Sequence, residues 1–134
     1  MSDRPPAGRP LVVVIDDDET FAEMLGWSLE RRGYQALICT TPSAARTALV
    51  EHTVAAVVCD IELGAGVNGT SLVAELRRQA SRQFPAIFVS GYRAEFVHLD
   101  DERDRFLQKP FTLTALIDLL ASRLDHPHQT EPSD

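Results

Sequence analysis

The sequence predicts an α/β domain built on a parallel five-stranded sheet with helices on both faces. Three observations predict it. Short apolar runs alternate with stretches of helical periodicity from one end of the chain to the other. The runs are continuous rather than alternately polar, as strands covered on both sides are. The chain has 134 residues, 44% hydrophobic and 25% charged, which suits one globular domain with short tails.

Each element has its own signal. Leu11–Ile15 (LVVVI) reads as the first strand and ends in acids. Phe21, Met24, Leu25 and Leu29 recur at helical spacing, and Gly33 closes that helix. Tyr34–Cys39 is the second strand. Thr41-Pro42 supplies a helix cap followed by proline at the first helical position, leading a helix to about Glu51. Val54–Cys59 is the third strand and delivers Asp60. A glycine-containing loop follows, then a helix from about Thr70 to Ser81. Ala86–Val89 is the fourth strand, ending in Ser90, and Arg105–Gln108 the fifth, ending in Lys109. Thr112 caps a last helix carrying Leu113, Leu116, Ile117, Leu120 and Leu124. Between the last two strands, Arg93–Arg103 has a poor helical face, so the fourth helix is expected to be short, frayed or mobile. The folded domain is placed at 10–125, between disordered polar tails at 1–9 and 126–134 that are too short to form an output domain.

Composition narrows the function classes. The formal net charge of −7 argues against a nucleic-acid surface, which is usually basic. It suits a cation site or a basic protein partner. Cys39 and Cys59 lie inside apolar runs and read as buried free thiols, with no CxxC spacing for redox or zinc chemistry. His52, His98, His126 and His128 lack metal-ligand spacing. The proline-rich start has no long apolar core, so neither a signal peptide nor a membrane span is read, and a reducing cytoplasm is the expected location.

In an open parallel sheet, ligands bind outside the carboxyl ends of the strands. There the sequence places Asp16 and Asp17 after strand one, Asp60 after strand three, Ser90 after strand four and Lys109 after strand five. Several carboxylates in one place are unfavourable unless protons or a cation neutralise them. Mg²⁺ takes oxygen ligands and commonly shares a site with phosphate. An aspartate can be the nucleophile that forms an acyl phosphate. Phosphoryl transfer asks mainly for positioning and charge, which a divalent ion and a lysine supply, and a serine hydroxyl can bond a phosphoryl oxygen.

The segments VVVIDDD, VVCD ending at Asp60, IFVSG around Ser90 and LQKPF around Lys109 resemble the response-regulator receiver family, from Leu11 to Leu124. The resemblance implies a flavodoxin-like sheet in the order 2-1-3-4-5, an order carried over from relatives in that family. It implies that Asp60 is the phosphoacceptor, that Asp16, Asp17, Asp60 and the backbone carbonyl of Glu62 hold Mg²⁺, and that Lys109 pairs with the phosphoryl group. It implies that Ser90 is the switch hydroxyl, that Phe106 is a rotating aromatic, and that the side chains of Glu62 and Tyr92 tune the phosphate's lifetime. A cis Lys109-Pro110 bond goes with it. The implied partners are a sensor histidine kinase or phosphotransfer protein and a downstream protein, with the chain a monomer or weak homodimer. No nucleic acid or membrane enters, and the only chemistry is its own phosphoryl transfer and autodephosphorylation.

The chain departs from that family's common pattern twice. The loop IELGAGVNG after Asp60 lacks the usual proline and is one residue longer before Gly69. The stretch between Ser90 and Lys109 is shorter by about one helical turn. Phe88-Val89-Ser90-Gly91-Tyr92 resembles the signature of the FAT GUY single-domain receivers, which pair with kinases of the HWE and related types.

Other readings compete. Asp16-x-Asp18-x-Thr20 with Ser90 and Lys109 also fits the motif order of haloacid-dehalogenase phosphatases, but no strand bearing their final acid pair follows Lys109 and Asp60 would have no role. A receiver-like module that is not phosphorylated is the third reading. Asp18 and Glu19 read as helix-cap and first-turn acids. Trp27 reads as rim packing beside the first helix's stripe, with kinase docking or a dimer contact as the lesser reading. Gly26 carries no evident function, Gly64, Gly66 and Gly69 read as turn formers, and the LDDERD run reads as a solvated acidic face.

Overall fold

A computed structural model of the chain describes residues 8–80, 83–99 and 101–124. The predicted tails, apart from Gly8 and Arg9, lie outside the described residues, as do Ser81, Asp100, His126 and His128. In chain order the elements are β1 (Leu11–Ile15), α1 (Glu19–Arg31), β2 (Gln35–Cys39), α2 (Pro42–Glu51), β3 (Ala56–Asp60), α3 (Gly69–Gln79), β4 (Ala86–Ser90), β5 (Arg105–Gln108) and α4 (Leu113–Leu124). The five strands form one parallel sheet in the order β2-β1-β3-β4-β5.

Alternation along the strands divides the core into two. Val12 and Val14 of β1, Ala56 and Val58 of β3, and Ile87 and Val89 of β4 pack under α1 and α4. Val13, Ile15, Val57, Cys59 and Phe88 face the other way, under α2 and α3. Because β1, β3 and β4 are covered twice, both residue parities along them are apolar, which explains the unbroken valine-rich runs.

Side chains open the helices where the chain leaves a loop. Asp18 caps α1 by accepting from the Phe21 amide at 3.1 Å. Thr41 caps α2 ahead of Pro42, and Asn68 caps α3 by accepting from the Thr70 amide at 2.8 Å. Thr112 Oγ1 accepts from the Ala115 amide at the start of α4. Each cap satisfies amides that a helix start otherwise leaves unpaired.

The expected short fourth helix is a single 3-10 turn at Ala94–Phe96. Two local expectations are corrected. Gly26 has a packing role, since a Cβ there would stand 2.7 Å from Ile38 Cδ1, so glycine lets α1 lie close on β2. Trp27 is not packed at the rim of the core. It is 65% exposed, with the Arg31 guanidinium 5.2 Å from the centre of its ring.

Within the acidic run beyond the 3-10 turn, Asp101 and Asp104 are likewise not part of a solvated face, whereas Glu102 is exposed. Asp104 is buried, and its carboxylate accepts from Arg77 of α3 at 2.6 and 3.2 Å. The same guanidinium donates to the Phe84 carbonyl at 2.8 and 3.2 Å, and Asp101 lies 3.5 Å away. Asp101 in turn accepts from the Arg103 amide and Nε, both at 2.9 Å. Arg77 thus ties α3 to the entries of β4 and β5, beside a cleft of about 520 Å³. No described helix is long and apolar enough to cross a membrane.

Candidate functional site

The topology brings the ends of β1, β3, β4 and β5 to one edge, and every strand-end residue named from the sequence is found there. Parallel pairing sets Ile15 beside Cys59, Asp60 beside Val89, and Ser90 beside Gln108. The next residues along β1 and β5 are therefore Asp16 and Lys109. One carboxylate oxygen from each of Asp16, Asp17 and Asp60 lies within 4.8 Å of the others. Lys109 Nζ donates to Asp60 Oδ2 at 3.1 Å and stands 3.5 Å from Asp16 Oδ2. The ammonium also lies 4.9 Å from the centre of the Phe21 ring, which meets Phe111 edge-on. The sequence marks Phe21 only as part of the helix stripe; in the fold it is also a wall for the lysine. The Lys109-Pro110 bond is cis.

The backbone organises the acids. Asp16 Oδ1 accepts from the Asp18 amide at 2.9 Å, and Asp60 Oδ1 accepts from the Glu62 amide at 3.1 Å. Asp16 and Asp60 are buried, whereas Asp17 is exposed. Burial pushes the Asp16 carboxyl above its ordinary value, with the Asp60 charge adding to the rise and the Asp18 amide and Lys109 opposing it. For Lys109, burial pulls downward, but the hydrogen bond to Asp60 and the charges of both acids outweigh it and hold the ammonium above its ordinary value. Burial also pushes the Cys59 thiol up, and it raises Cys39 to about 11, so both are inert thiols.

Gly64 and Gly66 take positive φ and turn the loop after β3. Gly69 does not. It opens α3 against the end of β3, where an added Cβ would stand 2.1 Å from the Asp60 carbonyl oxygen and 2.9 Å from Cys59 Sγ. Its reason is close approach, not turning. On the far side, Ser90 is fully buried. Its Oγ donates to the Glu62 carboxylate, 2.9 Å from each oxygen, and accepts from the Tyr92 amide at 3.0 Å. The Tyr92 side chain is exposed. Phe106 is partly buried in the core layer under α2 and α3, opposite Phe88 in the ladder.

The donor set fits a hard divalent cation. Asp16 Oδ2 is buried and accepts no hydrogen bond of ordinary geometry; the Lys109 ammonium 3.5 Å away is shared with Asp60, which leaves the cluster short of positive charge. All the converging ligand atoms are oxygens, the preference of Mg²⁺. Asp18, needed by the phosphatase motif, is spent on capping α1.

Such a sheet, with an acid cluster, a lysine and a hydroxyl at its carboxyl edge, defines a class of phosphoacceptor switches. The chain belongs to the response regulator receiver domain family, whose model matches residues 12–121. It is the receiver domain of a response regulator in a two-component system. The sensory transduction protein RegX3 of Mycobacterium tuberculosis is 28% identical over 109 residues, covering 79% of this chain and 47% of RegX3. The photosynthetic apparatus regulatory protein RegA of Rhodobacter capsulatus is 31% identical over 83 residues, covering 62% of this chain and 44% of RegA. The chain thus spans about half the length of these relatives. A CheY-like receiver domain from Methylobacillus flagellatus superposes with a TM-score of 0.73 at 26% identity, covering 86% of this chain and 98% of that one.

Proposed function

We propose that Asp60 accepts a phosphoryl group from the phosphohistidine of a sensor kinase or phosphotransfer protein in the cytoplasm, and that the modified domain signals by protein contact or phosphate relay. One observation carries the reading. Asp60 holds its carboxylate 3.1 Å from the Lys109 ammonium, with an oxygen within 4.8 Å of oxygens of Asp16 and Asp17. In the transfer, a P–O bond forms to Asp60 as the P–N bond of the phosphohistidine breaks, and the imidazole leaves with the electron pair and takes up a proton.

Asp16, Asp17, Asp60 and the Glu62 carbonyl would hold Mg²⁺, which when bound supplies positive charge to the transferring phosphoryl oxygens. The remaining work is the chain's own. The Glu62 amide orients Asp60 through Oδ1. Lys109 offers a fixed positive charge beside Oδ2, already partly desolvated and so costing little rearrangement. Ser90 donates to a phosphoryl oxygen, and Phe106 follows its movement. That shift carries the change to the surface around β5 and α4. Glu62 and Tyr92 flank the phosphoryl position, where they set access of water to it.

The test is labelling of the purified chain by a panel of phosphorylated histidine kinases, with and without Mg²⁺. Wild type gains an acid-labile, hydroxylamine-sensitive phosphate, and Asp60→Ala gains none. Equal labelling of the two proteins would remove Asp60 from the role. Absence of labelling from any donor, including acetyl phosphate, would leave a receiver fold that works as an interaction module.

A further inference from the structure

The hydroxyl of Ser90 is already in use. A serine has one proton to donate, and here it is directed at Glu62, equidistant from both carboxylate oxygens at 2.9 Å. The oxygen accepts from the Tyr92 amide at 3.0 Å. Because Ser90 is fully buried, no solvent route supplies a replacement partner. A hydrogen bond to an ionised acceptor belongs to the stronger class.

We infer that Glu62 is a positioning residue that holds Ser90 in the resting arrangement, so that its hydroxyl must leave Glu62 before it can bond a phosphoryl group on Asp60. This rests on the phosphoacceptor reading of Asp60. The two bonds exclude each other, since both acceptors are oxygen anions and Ser90 has a single proton. The Glu62 main chain is anchored, its amide bonded to Asp60 Oδ1. The residue is exposed, and its side chain can swing into water at little solvation cost. Phosphorylation adds negative charge close by, which repels the Glu62 carboxylate as it attracts the Ser90 proton. The latch therefore raises the threshold for switching, and the incoming charge itself opens it. The exchange also frees Glu62 to change the surface beside Tyr92 and Phe96, both exposed along the same cleft.

Charge alone also makes Glu62 oppose an anion, so the test must separate the latch from simple repulsion. Beryllofluoride with Mg²⁺ stands in for the phosphoryl group on the full chain, and its binding is followed by the Tyr92 amide resonance. Glu62→Ala tightens binding about five-fold, the scale of one net hydrogen bond. Glu62→Gln, which keeps an acceptor while losing the charge, tightens it less. In a Ser90→Ala background, Glu62→Ala brings a clearly smaller gain, because only the repulsion is left to relieve and there is no hydroxyl to release. The metal-loaded but beryllofluoride-free Glu62→Ala protein shifts its Tyr92 resonance toward the bound position. An equal gain with and without Ser90 would reduce Glu62 to a repulsive charge and overturn the latch. Unchanged affinity in Glu62→Ala would overturn it too, leaving Asp60 as the acceptor. Failure of wild type to bind the probe, with Asp60→Ala no different, would instead overturn the acceptor reading and the latch with it.

Discussion

Two carboxylate clusters among the described residues are built on opposite terms. Around α3 and the entry to β5, Asp101 and Asp104 face Arg77 and Arg103, so each carboxylate has its guanidinium. At the carboxyl edge, Asp16, Asp17 and Asp60 converge, and the one ammonium of Lys109 stands against Asp16 and Asp60. The first cluster is balanced and closed. The second lacks two positive charges, the amount one divalent cation carries. Balance marks a structural network, and imbalance that the fold nonetheless maintains marks a site.

The comparison breaks most visibly at Arg77. Its side chain is only 11% exposed and serves Asp104 and the Phe84 carbonyl together. Arg77→Ala leaves Asp104 ionised and unpaired in a buried position and strands the carbonyl. A loss of about 3 kcal/mol is expected from such a half-removed pair. Urea unfolding at unchanged m-value measures it. A loss below about 1 kcal/mol would mean that water reaches Asp104 and that the network is ornamental. Arg77→Lys restores charge without the forked geometry and should recover only part of the loss.

The charge-deficient edge should respond with the opposite sign. Asp16→Asn keeps the oxygen that accepts from the Asp18 amide. It replaces the other oxygen, which accepts no hydrogen bond and has only the shared Lys109 ammonium at 3.5 Å, with a donor near Asp60, and removes one of three crowded charges. The metal-free protein should gain about 1 kcal/mol, within the usual range for relieving a strained functional group. Mg²⁺ should raise the melting temperature of the wild type by binding to the native state alone, and the variant should lose that rise. Destabilisation of the metal-free variant would show that the Asp16 charge is fully compensated by Lys109, and the proposed imbalance would fall.

The two clusters also differ in how far the sequence discloses them. Asp16, Asp60, Ser90 and Lys109 stand at the ends of strands, so identifying the strands and a parallel sheet is enough to bring them to one edge. The strands are themselves legible because double burial leaves unbroken apolar runs. Arg77 and Asp104 give no such signal. They stand 27 positions apart on a helix and in a loop, and only the three-dimensional path pairs them. The acidic run therefore reads as solvated when taken along the chain. Gly26 and Gly69 escape notice for the same reason, because their missing side chains answer to Ile38 and to the Asp60 carbonyl across the fold. The Glu62–Ser90 bond, 28 positions apart, belongs with these.

The smallest effect separates the interior of the balanced network from its rim. The side chain of Asp101 is 29% exposed, against 5% for Asp104. The Arg103 side chain, then its amide, then the Arg77 charge hold the Asp101 carboxyl well below the usual carboxylate range. A depressed folded-state value stabilises the protein above the unfolded-state value, about pH 4, and that contribution drains away as pH falls toward the depressed one. Solvent screening keeps it small. Asp101→Asn should cost about 0.5 kcal/mol at neutral pH and should flatten the decline in stability below about pH 4. Added salt should shrink the difference between the two proteins, since exposed pairs are screened far more than buried ones. A neutral-pH loss as large as that of Arg77→Ala, insensitive to salt, would place Asp101 inside the network with Asp104 and erase the distinction between its core and its rim.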